Sequence, residues 1–248
     1  MSFNYNFPIK LNIARIPFRS SLLNVQPKSQ LRKDGFVTNP IYESLSTKEQ
    51  IELVVKSNSR IMGLLKEYSI PLQVNIRELE KLKQSHMKDT RIIAAKIYSS
   101  LPEELKKEVN LLNLQEAAML HDYGKVLIPD NILNKAGRLN NKEQEIMELH
   151  SELGYELLKN KDLSKETLNL IKYHHQNQEG TGYPTILSDF EYNIGIQILS
   201  VADKYSALRE KRCYKNPLAK YEALEIIAKD VNRGNVSQEV YTALLKSV

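Results

Sequence analysis

The chain has 248 residues and very little of what marks secreted, disulfide-rich or membrane proteins. Cys213 is its only cysteine, and it has no tryptophan. A single cysteine cannot form an intrachain disulfide, which favours a cytosolic setting. No uninterrupted apolar run approaches the ~20 residues needed to cross a membrane. Residues 1–23 also lack the apolar core of a secretory signal. We therefore expect a cytoplasmic protein without membrane insertion.

The charge is also modest. The net charge is +5 with a pI near 9.0, and basic residues are scattered without a polybasic block. This argues against polymeric nucleic acid as a partner. A phosphate-bearing ligand and a solvated lysine-rich surface explain the balance equally well. Apolar residues make up 42% and charged residues 26% of the chain, as in a globular protein of one or two domains.

The distribution of prolines and apolar residues divides the chain into two parts at about residue 45. Residues 1–45 carry four prolines and short alternating stretches, which predict an extended or β-rich segment of unknown role. A capping-box pattern at Ser46 opens a connecting helix over 46–69. From there to residue 248 the pattern is helix and loop, so the fold class is all-α with a small N-terminal extended or β-rich segment.

Every histidine lies in or beside a predicted helix. A long helix over about 76–98 places His86 in its middle, and a helix capped by Asn113 leads to His121 and Asp122. Another helix opens at Asn141, and a further one is capped by Ser164. His150 lies in the helix that opens at Asn141, and His174 and His175 lie near the end of the helix capped by Ser164. Asp203 lies in the apolar helix 194–208.

Five imidazoles and two carboxylates suit borderline or harder divalent metals. Two such cations can share a bridging carboxylate and a bridging hydroxide that attacks a phosphate ester. Asp122, which directly follows a histidine, is the natural bridging group. Because neighbours on a helix point about 100° apart, His174 and His175 could each reach a different cation only at a helix end.

This order of residues closely resembles the HD-GYP branch of the HD-domain metal-dependent phosphohydrolases. The resemblance covers residues 70–248 and includes His121-Asp122, Gly182-Tyr183-Pro184 and the segment that ends at Asp203. It implies a helical HD-domain bundle with a metal site between helices. It also implies hydrolysis of cyclic di-GMP to pGpG, GMP or both through a metal-bridging hydroxide.

Carried over by position, the resemblance implies two divalent cations, iron or manganese. Asp122 and Lys125 would be catalytic, and Lys125 would also contact the scissile phosphate. The implied metal ligands are His86, His121, Asp122, His150, His174, His175 and Asp203. The implied substrate contacts are Lys125, Gly182, Tyr183, Pro184, Arg212 and Lys215.

The chain departs from the family pattern at five positions. Leu82 replaces a glutamate that binds a third metal in some members, which is why we expect two cations. The other departures concern substrate affinity more than metal binding: Gln176, Gln178, Gln197 and Ser206.

Several alternatives stay open. A lone histidine is more often a core residue than a ligand, Asp203 could pair with Lys204, and Lys125 could serve as a helix C-terminal charge. The same chemistry could act on another nucleotide, or the chain could be a non-catalytic module that binds a nucleotide or a protein. A signalling protein and a second copy of this chain are the open choices for a protein partner.

Overall fold

The structure is a computed structural model that describes residues 30–31, 37–38, 48–186, 190–210 and 216–248. Backbone contacts divide the chain into two units, residues 1–42 and 43–248. In the first unit, β1 (Gln30–Leu31) pairs antiparallel with β2 (Val37–Thr38), with Leu31 opposite Val37. The remaining residues of the predicted N-terminal segment, and the predicted cap at Ser46, lie outside the described residues.

The described residues of the second unit form helices joined by loops, and the predicted all-α fold is confirmed there. Its first helices are α1 (Lys48–Ser57), α2 (Ser59–Glu67), α3 (Ile76–Gln84), α4 (His86–Ser100), α5 (Glu103–Lys106) and α6 (Leu111–Leu120). A 3₁₀ helix (Tyr123–Leu127) and α7 (Asp130–Leu133) follow. The later helices are α8 (Asn141–Leu158), α9 (Lys165–Tyr173), α10 (Ile194–Arg209), α11 (Lys220–Asn232) and α12 (Gln238–Ser247).

Three helix boundaries differ from the sequence prediction. The stretch predicted as one helix over 46–69 forms two, because Asn58 adopts an extended backbone and its side chain caps α2 by accepting from the Arg60 and Ile61 amides. The predicted helix over 76–98 is likewise divided at Ser85, whose backbone leaves the helical region. The cap of α6 is Asn110, not Asn113, because the Asn110 side chain accepts from the Leu112 and Asn113 amides.

The core of this unit forms around α4, which contacts α3, α6, α10 and α12. Its inner face buries Met87, Ala94 and Ile97 completely. Helix α10 buries Ile196, Leu199, Val201 and Tyr205 on different sides, as expected of a helix packed against several others. None of the helices in the described ranges is long and apolar enough to cross a membrane.

Candidate metal centre and its surroundings

Five helical elements deliver the seven predicted ligands to one place in the bundle. His86 begins α4, His121 and Asp122 follow the end of α6, and His150 lies in the middle of α8. His174 and His175 follow the end of α9, and Asp203 lies on α10. Because His86 begins a helix after the break at Ser85, it is not a mid-helix residue as predicted.

The junction between the 3₁₀ helix and α8 requires a glycine. A Cβ on Gly124 would lie 2.0 Å from the backbone oxygen of His150 and 2.5 Å from the backbone nitrogen of Gly154. Only a residue without a side chain allows this approach, which holds Asp122 beside the helix that carries His150. A glycine at position 124 is therefore required by the packing of these two helices.

Three histidines share one arrangement. The Nδ1 atoms of His121, His150 and His174 lie 2.9, 2.7 and 2.8 Å from the backbone oxygens of the residues three positions earlier. A carbonyl oxygen only accepts, so each Nδ1 carries the hydrogen. In the neutral ring each Nε2 then presents a lone pair, and such backbone bonds also fix the orientation of metal-binding imidazoles.

The Nε2 atoms converge on one another. Those of His150 and His174 are 3.3 Å apart, so two lone pairs face each other unless a proton or cation lies between them. The Nε2 of His121 is buried without a hydrogen-bond partner among the described residues. Donors about 2.1 Å from one cation lie roughly 3.0–3.4 Å apart at octahedral or tetrahedral angles. The spacing therefore fits a shared cation.

The two oxygens of Asp122 face different parts of this cluster. Its Oδ1 lies 3.5 Å from Nε2 of His150, whereas its Oδ2 lies 3.5 Å from Nε2 of both His86 and His121. The side chain of Asp122 is only 1% exposed. A buried carboxylate directed to two sides is the geometry that a bridging ligand needs.

Asp203 closes one side of the cluster. Its Oδ1 is 2.9 Å from Nε2 of His86 and 3.7 Å from Nε2 of His121, and its Oδ2 is 3.9 Å from Nε2 of His175. The alternative partner, Lys204, instead pairs with Asp230, so that alternative for Asp203 is wrong.

Burial and charge together prepare the imidazoles to bind a cation rather than a proton. Burial, aided by the charge of Lys125, lowers the pKa of His150 to about 3. Burial also lowers the pKa of His175 to about 4, although Asp203 opposes it, and holds the pKa of His174 well below its usual value. These rings are neutral at pH 7, as metal ligands must be.

The carboxylates remain ionised in the same environment. Burial alone would raise the pKa of Asp122, but the charges of Lys125 and His121 outweigh it and hold the pKa well below the usual value. The imidazoles of His121 and His86 do the same for the pKa of Asp203. Burial also opposes protonation of His121, but the two carboxylates outweigh it and raise its pKa. The seven groups therefore form an anionic pocket suited to cations.

Lys125 lies at the edge of the cluster, where its Nζ is 2.6 Å from Oδ2 of Asp122. Its side chain is 16% exposed, so it contacts the buried carboxylate while part of it remains accessible to solvent. The helix-end alternative for Lys125 is compatible with this position, because it lies in a short 3₁₀ helix.

The Gly-Tyr-Pro loop packs against the second histidine of the pair. A Cβ on Gly182 would lie 2.1 Å from the backbone oxygen of His175. The ring of Tyr183 stacks on that of His175 with centroids 4.5 Å apart. Gln176 fixes the loop from the other side, because its Nε2 donates to the backbone oxygen of Pro184 at 2.6 Å.

The described residues leave two openings near the cluster. A cavity of about 400 Å³ is bordered by His175 and Asp203, which are 24% and 14% exposed, together with polar residues on α10 and α11. A second cavity of about 330 Å³ borders Tyr183 and Pro184. Sequence reasoning missed the polar residues that line the first, because nothing local marks them: Tyr192, Ser200, Lys204, Asp230 and Asn235. The predicted substrate contacts Arg212 and Lys215 lie outside the described residues.

A family model for the HD domain matches residues 73–238, more than half of the chain. The chain belongs to the HD-domain family. This confirms the predicted HD-domain family, and the similarity to cyclic-dinucleotide phosphodiesterases described below agrees with the predicted HD-GYP branch.

Over 141 residues the chain is 38% identical to a cyclic di-GMP phosphodiesterase of Thermotoga maritima, covering 56% of this chain and 38% of the relative. Over 106 residues it is 40% identical to 3'3'-cGAMP-specific phosphodiesterase 2 of Vibrio cholerae, covering 42% and 20%. The chain thus spans between a fifth and two fifths of the length of these relatives.

Among solved structures, the chain resembles Bd1817, an HDG"Y"P protein from Bdellovibrio bacteriovorus. The TM-score is 0.52 at 18% identity, with 84% of this chain and 67% of that chain covered. At this identity the likeness concerns the fold alone, and it agrees with the helical HD-domain architecture.

Proposed function

We propose that this HD-domain protein is a metal-dependent phosphodiesterase that hydrolyses a cyclic dinucleotide, with cyclic di-GMP as the first substrate to test. The observation that carries the proposal is the convergence of seven buried or half-buried imidazole and carboxylate groups. The cyclic di-GMP phosphodiesterase from Thermotoga maritima, similar over more than half of this chain, supports the choice of substrate.

The residues divide into two sets, joined by Asp122, that would hold two divalent cations. His86, His121 and Asp203 form one set, and their ligand atoms lie within 4.8 Å of one another. The other comprises His150, His174 and His175, which satisfy the same limit. Asp122 would bridge the sets with its two oxygens. Mixed nitrogen and oxygen ligands without a thiolate suit iron or manganese.

Two divalent cations, when bound, supply the charge that makes water a nucleophile near neutral pH and that offsets charge developing on phosphoryl oxygens. The protein contributes neutral imidazoles, a buried bridging carboxylate and the ammonium of Lys125. That ammonium binds a phosphate oxygen of the substrate as a point charge, since it contacts Asp122 and its side chain is partly accessible to solvent. Tyr183 acts as a neutral hydrogen-bond donor, because burial raises the pKa of its phenol above the usual value.

The test uses protein loaded anaerobically with Fe(II) or Mn(II), incubated with cyclic di-GMP and followed by chromatography. We expect conversion to pGpG, GMP or both, and loss of conversion in Asp122→Asn. Lys142→Met, at an exposed position on α8, is the matched control and should keep full activity. Absence of turnover with every such metal under reducing conditions would refute the proposal.

A second candidate substrate is 3'3'-cGAMP, because a 3'3'-cGAMP-specific phosphodiesterase shares 40% identity over 106 residues. A substrate panel with cyclic di-GMP, 3'3'-cGAMP and cyclic di-AMP at equal concentration separates the candidates by kcat/KM. A cyclic-dinucleotide enzyme of this kind acts in the cytoplasm, where we also place any signalling partner or homodimer.

A further inference from the structure

His86 is the exception among the four buried histidines of the centre. The other three donate their Nδ1 hydrogen to the backbone oxygen three residues earlier, at 2.7–2.9 Å. His86 begins α4 directly after the break at Ser85 and makes no such bond. Its Nδ1 is buried without a hydrogen-bond partner among the described residues.

The opposite nitrogen of His86 faces the centre. Its Nε2 lies 2.9 Å from Oδ1 of Asp203 and 3.5 Å from Oδ2 of Asp122. A neutral imidazole that gives its Nε2 lone pair to a cation carries its only hydrogen on Nδ1. That hydrogen needs an acceptor, because a buried N–H without one is destabilising.

One carboxylate lies on the Nδ1 side. Oε2 of Glu210 is 3.9 Å from Nδ1 of His86, and the Glu210 side chain is 24% exposed. This separation is about 1 Å longer than a hydrogen bond. A small rotation of the Glu210 side chain would close that gap of about 1 Å. Glu210 is the C-cap of α10, the helix that also carries Asp203. The same helix therefore places a carboxylate on each side of the His86 ring.

We propose that Glu210 is a positioning residue for His86, accepting the Nδ1 hydrogen when Nε2 binds a cation. Its carboxylate thereby performs the task that backbone oxygens perform for His121, His150 and His174. Carboxylates hydrogen-bonded to metal-binding imidazoles fix the ring and strengthen it as a ligand. The inference rests on the proposed metal centre and is independent of which nucleotide is cleaved.

The experiment measures Mn²⁺ affinity of the full chain by competition with a chelator, for wild type, Glu210→Ala and Glu210→Gln. We expect Glu210→Ala to weaken one of two cations by about 10- to 100-fold. Glu210→Gln keeps an acceptor oxygen without the charge and should give an intermediate loss. The control is Glu225→Ala, an exposed glutamate on α11, which should bind as wild type does.

Two further readouts separate positioning from a general effect on folding. The melting temperature of the metal-free chain should be the same in Glu210→Gln as in Glu225→Ala. In the Zn²⁺-loaded protein, the imidazole ¹H–¹⁵N correlation of His86 Nδ1 should be present in wild type and shifted or lost in Glu210→Ala.

Wild-type Mn²⁺ affinity in both Glu210 variants would overturn the inference, as would a wild-type chain that binds no divalent cation. A wild-type chain that binds two cations but leaves every cyclic dinucleotide intact would remove the proposed activity alone. In that case the Mn²⁺ affinities of the Glu210 variants still decide the role of Glu210.

Discussion

Acidification of the metal-free protein should destabilise it through the histidine cluster. His150 has a folded-state pKa of about 3, whereas an unfolded histidine has a pKa near 6.5. Between these values the unfolded chain binds a proton that the folded chain does not, so stability falls as the pH falls. From pH 7 to pH 5 the loss is about 2 kcal/mol for this residue.

The other histidines of the cluster determine the total loss of stability between pH 7 and pH 5. His175, with a folded-state pKa of about 4, contributes a similar loss of about 2 kcal/mol over the same range. The lowered pKa of His174 acts in the same direction. The raised pKa of His121 opposes them, because its protonation favours the folded state as the pH falls. The net loss is therefore smaller than the sum over the three lowered residues.

The assay is urea unfolding of chelator-treated protein at pH 7 and pH 5, followed by circular dichroism. Because all five histidines of the chain lie in the cluster, this pH window reports on it directly. His150→Gln should reduce the difference in unfolding free energy between the two pH values by about 2 kcal/mol. An unchanged difference in this variant would refute the buried, neutral state assigned to His150.

Three other substitutions test separate parts of the structure. Gly124→Ala should lower the free energy of unfolding by about 3 kcal/mol or more in denaturant titrations, because its Cβ would clash with backbone atoms of His150 and Gly154. The control is Gly63→Ala, which has open space around it and should be neutral or stabilising. Lys125→Met should lower kcat by about 100-fold with metal content unchanged, because it removes a charge beside the reacting phosphate; full activity would exclude that role. Asn58→Ala should cost about 1–2 kcal/mol in unfolding free energy, since it removes the side-chain cap of α2; an unchanged midpoint would show that the cap contributes nothing.

Much of the fold could be predicted from local signals. Apolar spacing predicted the helices, and Ser164 caps α9 as expected by accepting from the Thr167 amide. The boundaries at Asn58 and Ser85 were missed because an apolar stripe continues across both. A single residue with a non-helical backbone interrupts each helix without changing the pattern of its neighbours.

The clustering of these imidazole and carboxylate groups could be predicted because histidines are few and all lie beside helix ends or apolar stripes. The sequence could not predict which residues surround these candidate ligands. The relation between Glu210 and His86 depends on a helix end meeting a helix start across 124 positions of sequence. The same holds for the cavity beside Asp203, whose lining comes from residues far apart in the chain.

Metal analysis of anaerobically purified protein, with His121→Ala as the comparison, tests whether the cluster of histidines and aspartates holds two cations. His121 belongs to two groups of converging ligand atoms, one with His86 and Asp203 and one with Asp122 and His174, so its loss should disturb the whole centre. We expect two divalent cations per wild-type chain and fewer than one in His121→Ala. Wild-type protein without stoichiometric metal, or a variant that retains both cations, would contradict it.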